Sequence, residues 1–159
     1  MISRRIKALK NLFKKEFIDG YVVPKNDEFF SEFSEIDRLK IISNFSGSAG
    51  YAVILKKKNY LFVDGRYTIQ AQIESGKNFI ITDYHKIVNC DLFKNFTLGI
   101  NPKLFTSNQI RKFFLKNNKI KLIKKDLIKQ NSEKKLNHSR SFFSLDKYIV
   151  GESHKKKID

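Results

Sequence analysis

Two short runs constrain this chain more than any other part of it. Asn44-Phe45-Ser46-Gly47-Ser48-Ala49-Gly50 sets small residues between two apolar segments, and Val63-Asp64-Gly65-Arg66-Tyr67-Thr68-Ile69-Gln70-Ala71 follows closely. Gly47 and Gly50 permit a turn or a close backbone approach to another chain, and Ser48 and Ala49 leave that approach unobstructed. Asp64-Gly65 is a sharp turn signal that ends a strand and begins a helix. Arg66 then falls in the first helical turn, where the dipole disfavours a cation. It is either tied to a carboxylate such as Asp64 or offered to something outside the domain.

The remaining pattern alternates helices and strands. Ile6, Leu9, Phe13 and Phe17 share one helical face, and Ser3 is placed to cap that helix. A basic amphipathic start also suits a transit peptide or a membrane-surface helix, but the strand that follows favours the first helix of a domain. Gly20–Val23 reads as a buried strand stopped by Pro24, and Lys25–Asp37 as an acid-rich loop. Arg38–Phe45 reads as a helix burying Leu39 and Ile42, with Phe45 a further candidate for burial. Tyr51–Leu55 and Tyr60–Val63 are strands whose short polar link predicts an antiparallel hairpin. Arg66–Ser75 is helical with Gly76 as its stop, Phe79–Thr82 a strand and Asp91–Phe96 a short helix. Thr97–Ile100 is a strand closed by Pro102, and Thr106 caps a helix burying Ile110, Phe113 and Phe114. Ile120–Ile123 is the last strand. This pattern predicts an α/β fold: a mixed β-sheet with helices packed on its faces. Residues 1–130 form the domain, and residues 131–159 a polar, partly extended arm.

A length of 159 residues with 41% hydrophobic side chains suits one domain with a useful core. Cys90 is the single cysteine, which excludes an internal disulfide and fits a reducing, cytoplasmic setting. No apolar run approaches a membrane span. The net charge of +16 invites a nucleic-acid reading, yet residues 18–102, which hold the sharp motifs, are neutral. Of the 32 basic residues 26 are lysine, whereas sequence-specific nucleic-acid contacts lean on arginine. Solvated lysine faces are therefore expected, and nucleic acid is ranked below other partners.

Catalytic signatures are missing. His85, His138 and His154 form no helical pair and lie apart from Cys90, so no metal-ligand spacing emerges. Gly47-Ser48-Ala49-Gly50 has the wrong spacing for a nucleophile elbow. Ser46-Gly47-Ser48 suits an anion nest or, more simply, a tight turn.

Both opening runs resemble the amino-terminal domain of Xaa-Pro aminopeptidases, the aminopeptidase P branch of the creatinase/prolidase group. Ile18-Asp19-Gly20-Tyr21-Val22-Val23-Pro24 resembles that family's first strand, Ser31-Glu32-Phe33 its Ser-Glu-Tyr, and Asp37-Arg38-Leu39 its Glu-Arg before an apolar helix. Leu98-Gly99-Ile100-Asn101-Pro102 resembles a later strand and turn. Tyr148-Ile149-Val150-Gly151-Glu152-Ser153 resembles the junction leading to a second domain.

The resemblance implies a creatinase/prolidase amino-terminal fold without catalytic or metal residues. In that family a carboxy-terminal domain binds two divalent metals, commonly manganese, through two Asp, one His and two Glu. Those ligands have no counterpart in this sequence, so no cofactor is expected in it. The amino-terminal domain of the family covers the active-site mouth, often across a subunit boundary. That makes Glu32, Arg66, Phe45, Gly47, Ser48 and Gly50 the candidate substrate- or partner-facing residues, with Glu32 placed to meet a peptide ammonium. Phe33 in place of tyrosine, Asp37 in place of glutamate and a shortened connection from Phe33 to Arg38 depart from the family. The expected role is non-catalytic: association and substrate access in a split or truncated metallopeptidase, with a separately encoded catalytic portion or a second copy as partner. The alternative is a free-standing peptide- or protein-binding module, since the same fold serves histone chaperones when joined to an inactive peptidase domain.

Overall fold

A computed structural model describes residues 2–31, 34, 36–88, 91–129 and 143–158. Its centre is a six-stranded sheet: β1 (Gly20–Pro24), β2 (Gly50–Leu55), β3 (Asn59–Val63), β4 (Ile80–Asp83), β5 (Thr97–Ile100) and β6 (Lys119–Leu122). The spatial order is β4-β3-β2-β1-β5-β6. β2 runs antiparallel to both neighbours, pairing Gly50 with Val63 and Gly20 with Leu55, while the other pairings are parallel. The sheet is mixed, as the sequence predicts, and the Lys56-Lys57-Lys58 link closes the expected hairpin.

Alternation along the central strands loads both faces. Ala52, Ile54, Leu61 and Val63 point to one side and join Leu9, Phe13, Leu39 and Ile42 of helices α1 (Ile2–Lys15) and α2 (Arg38–Ser43). Ala71 of α3 (Thr68–Ser75) completes that layer. Val53, Tyr60 and Phe62 point to the other side and meet Phe93, Phe105 and Phe114. Such two-sided burial explains why β1 and β2 read as continuous apolar runs.

Local chemistry sets the helix ends. Asp37 caps α2 by accepting from the Lys40 amide at 2.9 Å, and Asn44 ends it in the left-handed region at φ 70°. The helix thus stops before Phe45, which lies outside it. Thr106 and Gln109 form a reciprocal capping box on α4 (Ser107–Ile110), and Arg111–Leu115 continues as a wider, π-helical turn. Phe114 is buried as expected, while Ile110 and Phe113 are only partly covered.

Several expectations are corrected. Phe17 is 79% exposed, because α1 ends at Lys15 and the chain turns at Phe17 with φ 49°, carrying its ring off the apolar stripe. Its ring lies under the Lys121 ammonium instead, 5.2 Å from the centroid. Ser3 lies within α1, and its hydroxyl donates to Asn78 rather than capping the helix. Gly76 does stop α3, as expected: it is the C-cap after Ser75, at φ −59°, with its amide donating to the Gln72 carbonyl. Residues 91–96 form turns instead of a helix: Asn95 adopts φ 59°, and Phe93 is drawn into the core against Phe62. Within the expected extended arm, the described part carries two short helices, α5 (Lys147–Val150) and α6 (His154–Ile158). Asp146 accepts from the Tyr148 amide, and a Glu152–Lys156 pair one turn apart supports α6, so local bonds favour helix there. Residues 130–142 lie outside the described part.

Candidate functional site

The carboxyl ends of β1, β3, β4, β5 and β6 all point to one end of the sheet, together with the start of β2. Loops clustered there are the usual place for a binding site in an α/β fold. Both motif runs and the acidic loop converge on this end.

The 44–50 turn is fastened to α3. The Glu74 carboxylate accepts from the Ser46 amide at 2.8 Å and from the Ser46 hydroxyl at 2.7 Å, and Gln70 donates to Ser46. Desolvation raises the Glu74 carboxyl, but the bonds from Ser46 and Gln70, with Lys40 nearby, outweigh it and hold it below its ordinary value. The Ser48 hydroxyl lies 2.8 Å from the Tyr67 phenol oxygen, which joins the two motif runs directly.

Phe45 is fully buried and packs edge-on to Tyr67 at 5.9 Å. Gly47 is also buried, and a Cβ there would collide with the Phe45 ring. A Cβ on Gly50 would stand 2.9 Å from the Phe62 carbonyl oxygen. The close approach that these glycines allow is therefore internal. Phe45 and Gly47 lie in the core and do not face a partner, because the turn folds back over the top of the sheet. Ser48 remains on the rim.

Arg66 is 77% exposed, and its guanidinium donates to the Asp64 carboxylate at 2.9 Å, the same oxygen that accepts its backbone amide. These bonds, the side-chain one foremost, hold Asp64 below the usual carboxylate range. The Arg66 guanidinium also lies 5.6 Å from the Tyr67 ring centroid. Of the two readings of Arg66, the pairing with Asp64 is the one observed.

Arg38 organises the acidic loop. It is 3% exposed, donates to Glu28 at 2.6 Å and to Asp126 at 2.7 Å, and so ties the loop to α2 and to the segment after β6. Its remaining terminal nitrogen has no partner among the described residues. Lys25, nearly buried, reaches Asp37 at 2.5 Å. This frame leaves Phe29 89% and Phe30 45% exposed at the loop tip. Glu32 and Phe33 lie outside the described residues.

A cleft of about 170 Å³ opens where the loop meets the turn. Phe30 and Ser31 form one wall, Ser48 and Gly50 another, and Tyr51 and Tyr84 the floor. Burial, then a hydrogen bond with Tyr84, pushes the Tyr51 phenol up, so it stays protonated and can donate. The cleft brings Ser48 and Gly50 together with the acidic loop; Arg66 stays outside its lining. The sequence reading missed Glu74, Arg38, Tyr51 and Tyr84. Arg38 had a local signal, an arginine preceded by acids at the head of an apolar helix, whereas Tyr51 read as an ordinary strand residue and Tyr84 fell just past a strand. Among the described residues, no three His, Cys, Asp or Glu side chains converge as metal ligands. No helix among the described residues is long and apolar enough to cross a membrane.

Comparison with known proteins places this geometry. Residues 5–124 match the Creatinase/Prolidase N-terminal domain. A probable Xaa-Pro aminopeptidase P of Coprinopsis cinerea is 32% identical over 98% of the chain, and one of Laccaria bicolor is 28% identical over the same share. The chain spans only 28% and 27% of the length of these relatives. An X-prolyl aminopeptidase from Caenorhabditis elegans, described as a cytosolic enzyme with a di-nuclear active site, superposes with a TM-score of 0.71 at 21% identity. It covers 99% of this chain and 30% of its own. The N-terminal domain of a cytoplasmic peptidase from Mycobacterium tuberculosis covers 81% of this chain and 98% of its own, with a TM-score of 0.61 at 17% identity. At these identities the structural matches show a shared fold. The matched family model, spanning most of the chain, shows that it belongs to the creatinase/prolidase N-terminal domain family.

Proposed function

We propose that this chain is a non-catalytic, aminopeptidase P-like amino-terminal domain that associates with a metallopeptidase portion and restricts which peptides reach its active site. The observation that carries the reading is the cleft between the acidic loop and the 44–50 turn, with exposed Phe30 in its wall and the more exposed Phe29 next to it in the loop. Phe29 and Phe30 offer apolar area beyond the needs of a surface loop, and Phe30 takes φ 60°, an uncommon conformation for an aromatic residue. Glu32, next in sequence to Ser31 of the cleft wall, supplies a carboxylate for a peptide ammonium or a partner cation. Ser48 and Tyr51 supply hydrogen bonds to a backbone, while Arg66, paired to Asp64, stays outside the cleft lining. Catalytic metal chemistry belongs to the partner portion, and the setting is the cytoplasm.

The test is to mix the chain with the catalytic portion of the Coprinopsis relative, made without its own amino-terminal domain. Binding, with a change in cleavage of Xaa-Pro peptides of different length, supports the reading. Absence of binding, with unchanged cleavage, rejects it.

A further inference from the structure

The opposite end of the sheet holds a second concavity. Strand β2 carries the chain about 17 Å from the cleft at Gly50 to Leu55. There a pocket of about 390 Å³ lies between the β2–β3 hairpin and the 91–96 turn. Its walls are Leu55, Tyr60, Leu92 and Phe96. The 91–96 turn is built to show one apolar side chain outward: Phe93 is buried against Phe62, while its neighbour Leu92 is 46% exposed over the pocket.

Cations ring this apolar floor. Lys56, Lys57 and Lys58 form the hairpin edge, and all three are exposed. Lys56 is held in place by Asp19 at 2.7 Å, and its carbonyl accepts from the Lys10 ammonium. Asp91 is paired to Lys94. Five ammonium groups thus surround two carboxylates, each already paired, and no carboxylate meets Lys57 or Lys58 among the described residues. Residues 18–102 are neutral in sum, and at the cleft end Glu28, Asp37 and Asp64 are each matched by a cation, Arg38, Lys25 and Arg66.

We propose that this pocket is a docking site for an acidic peptide segment of another protein, with one apolar side chain seated between Leu92 and Phe96. The volume falls at the lower end of the range of ligand-binding pockets, and the apolar floor favours a leucine- or phenylalanine-sized side chain. The lysine rim complements carboxylates flanking that anchor and disfavours basic segments.

The experiment measures fluorescence anisotropy of a labelled acidic peptide with a central Leu-Phe pair against the full chain. Its comparison probes are the same peptide with that pair replaced by serine, vesicles of phosphatidylserine and phosphatidylcholine, and a single-stranded oligonucleotide. The variants are Leu92→Ser and the double change Lys57→Glu, Lys58→Glu, both at exposed positions, with folding checked by circular dichroism. Saturable binding of the Leu-Phe peptide, weakened about tenfold or more by either variant and by the serine replacement, is the expected result. No binding of the Leu-Phe peptide at low salt overturns the proposal. Equal binding by both variants, or by the serine peptide, overturns it as well. So does preference for the vesicles or the oligonucleotide over the peptide.

Discussion

The hydroxyl of Ser48 and the phenol oxygen of Tyr67 meet at 2.8 Å. One residue comes from the small-residue turn and the other from the Asp64-Gly65-Arg66-Tyr67 run, so two separate motifs form one unit at the carboxyl end of the sheet. Phe45 lies beneath them against the same tyrosine ring. A double-mutant cycle with Ser48→Ala and Tyr67→Phe is expected to show a coupling of about 1 kcal/mol in chemical denaturation. Additive effects would mean that the contact contributes nothing.

Arg38 is the most sensitive polar residue. Replacing it with alanine leaves Glu28 and Asp126 without their buried cation and is expected to destabilise the domain by about 3–5 kcal/mol. Arg66→Ala, at an exposed pair, should change stability by less than about 1 kcal/mol. Urea unfolding of both proteins checks the contrast, and equal losses would contradict it.

Acid should loosen the turn. The Glu74 carboxyl is held below its ordinary value of 4.5 in the folded state. Its contribution to stability is therefore complete above that unfolded value and is lost as pH falls through the lower, folded one. Asp64 and Asp19, lowered from 3.8 chiefly by Arg66 and Lys56 respectively, act in the same direction. Thermal unfolding measured between neutral pH and the acid range should show a steady fall, and Glu74→Gln should flatten it. An unchanged slope in the variant would show that Glu74 is not the responsive group.

Removal of the segment after Gln130 should leave the sheet intact, with stability changed by less than about 1 kcal/mol. The described side chains there include Phe143, Tyr148 and Ile158, each more than 80% exposed. Leu127 and Ile128, by contrast, are buried and must stay. A truncated chain that fails to fold would show that the tail covers the core.

Much of this architecture was legible because local and tertiary preferences agree. The apolar runs Tyr51–Leu55 and Tyr60–Val63, joined by a short polar link, announce a hairpin, and Thr106 announces a helix start. Where the reading failed, a tertiary contact overrode a local pattern. Phe17 continues the α1 stripe in sequence, but the helix had already ended. Residues 91–96 have helical spacing, but Phe93 is drawn into the core and Asn95 turns the chain. At the site, the glycine-rich run was visible, while its purpose was not. Nothing local reveals that Gly47 and Gly50 make room for Phe45 and Phe62 of the same chain. Nor does spacing reveal that Arg38 finds Asp126, 88 positions away.

The central claim is that the cleft end of this domain engages a catalytic partner. Titrating the chain into the catalytic portion of the Coprinopsis relative by isothermal calorimetry tests it most directly, with Phe30→Ser, Glu32→Ala and Lys119→Ala run alongside. The account predicts binding by the unmodified chain and by Lys119→Ala, and at least about tenfold weaker binding by Phe30→Ser and Glu32→Ala. Folded Phe30→Ser and Glu32→Ala proteins that bind as well as the unmodified chain would contradict it.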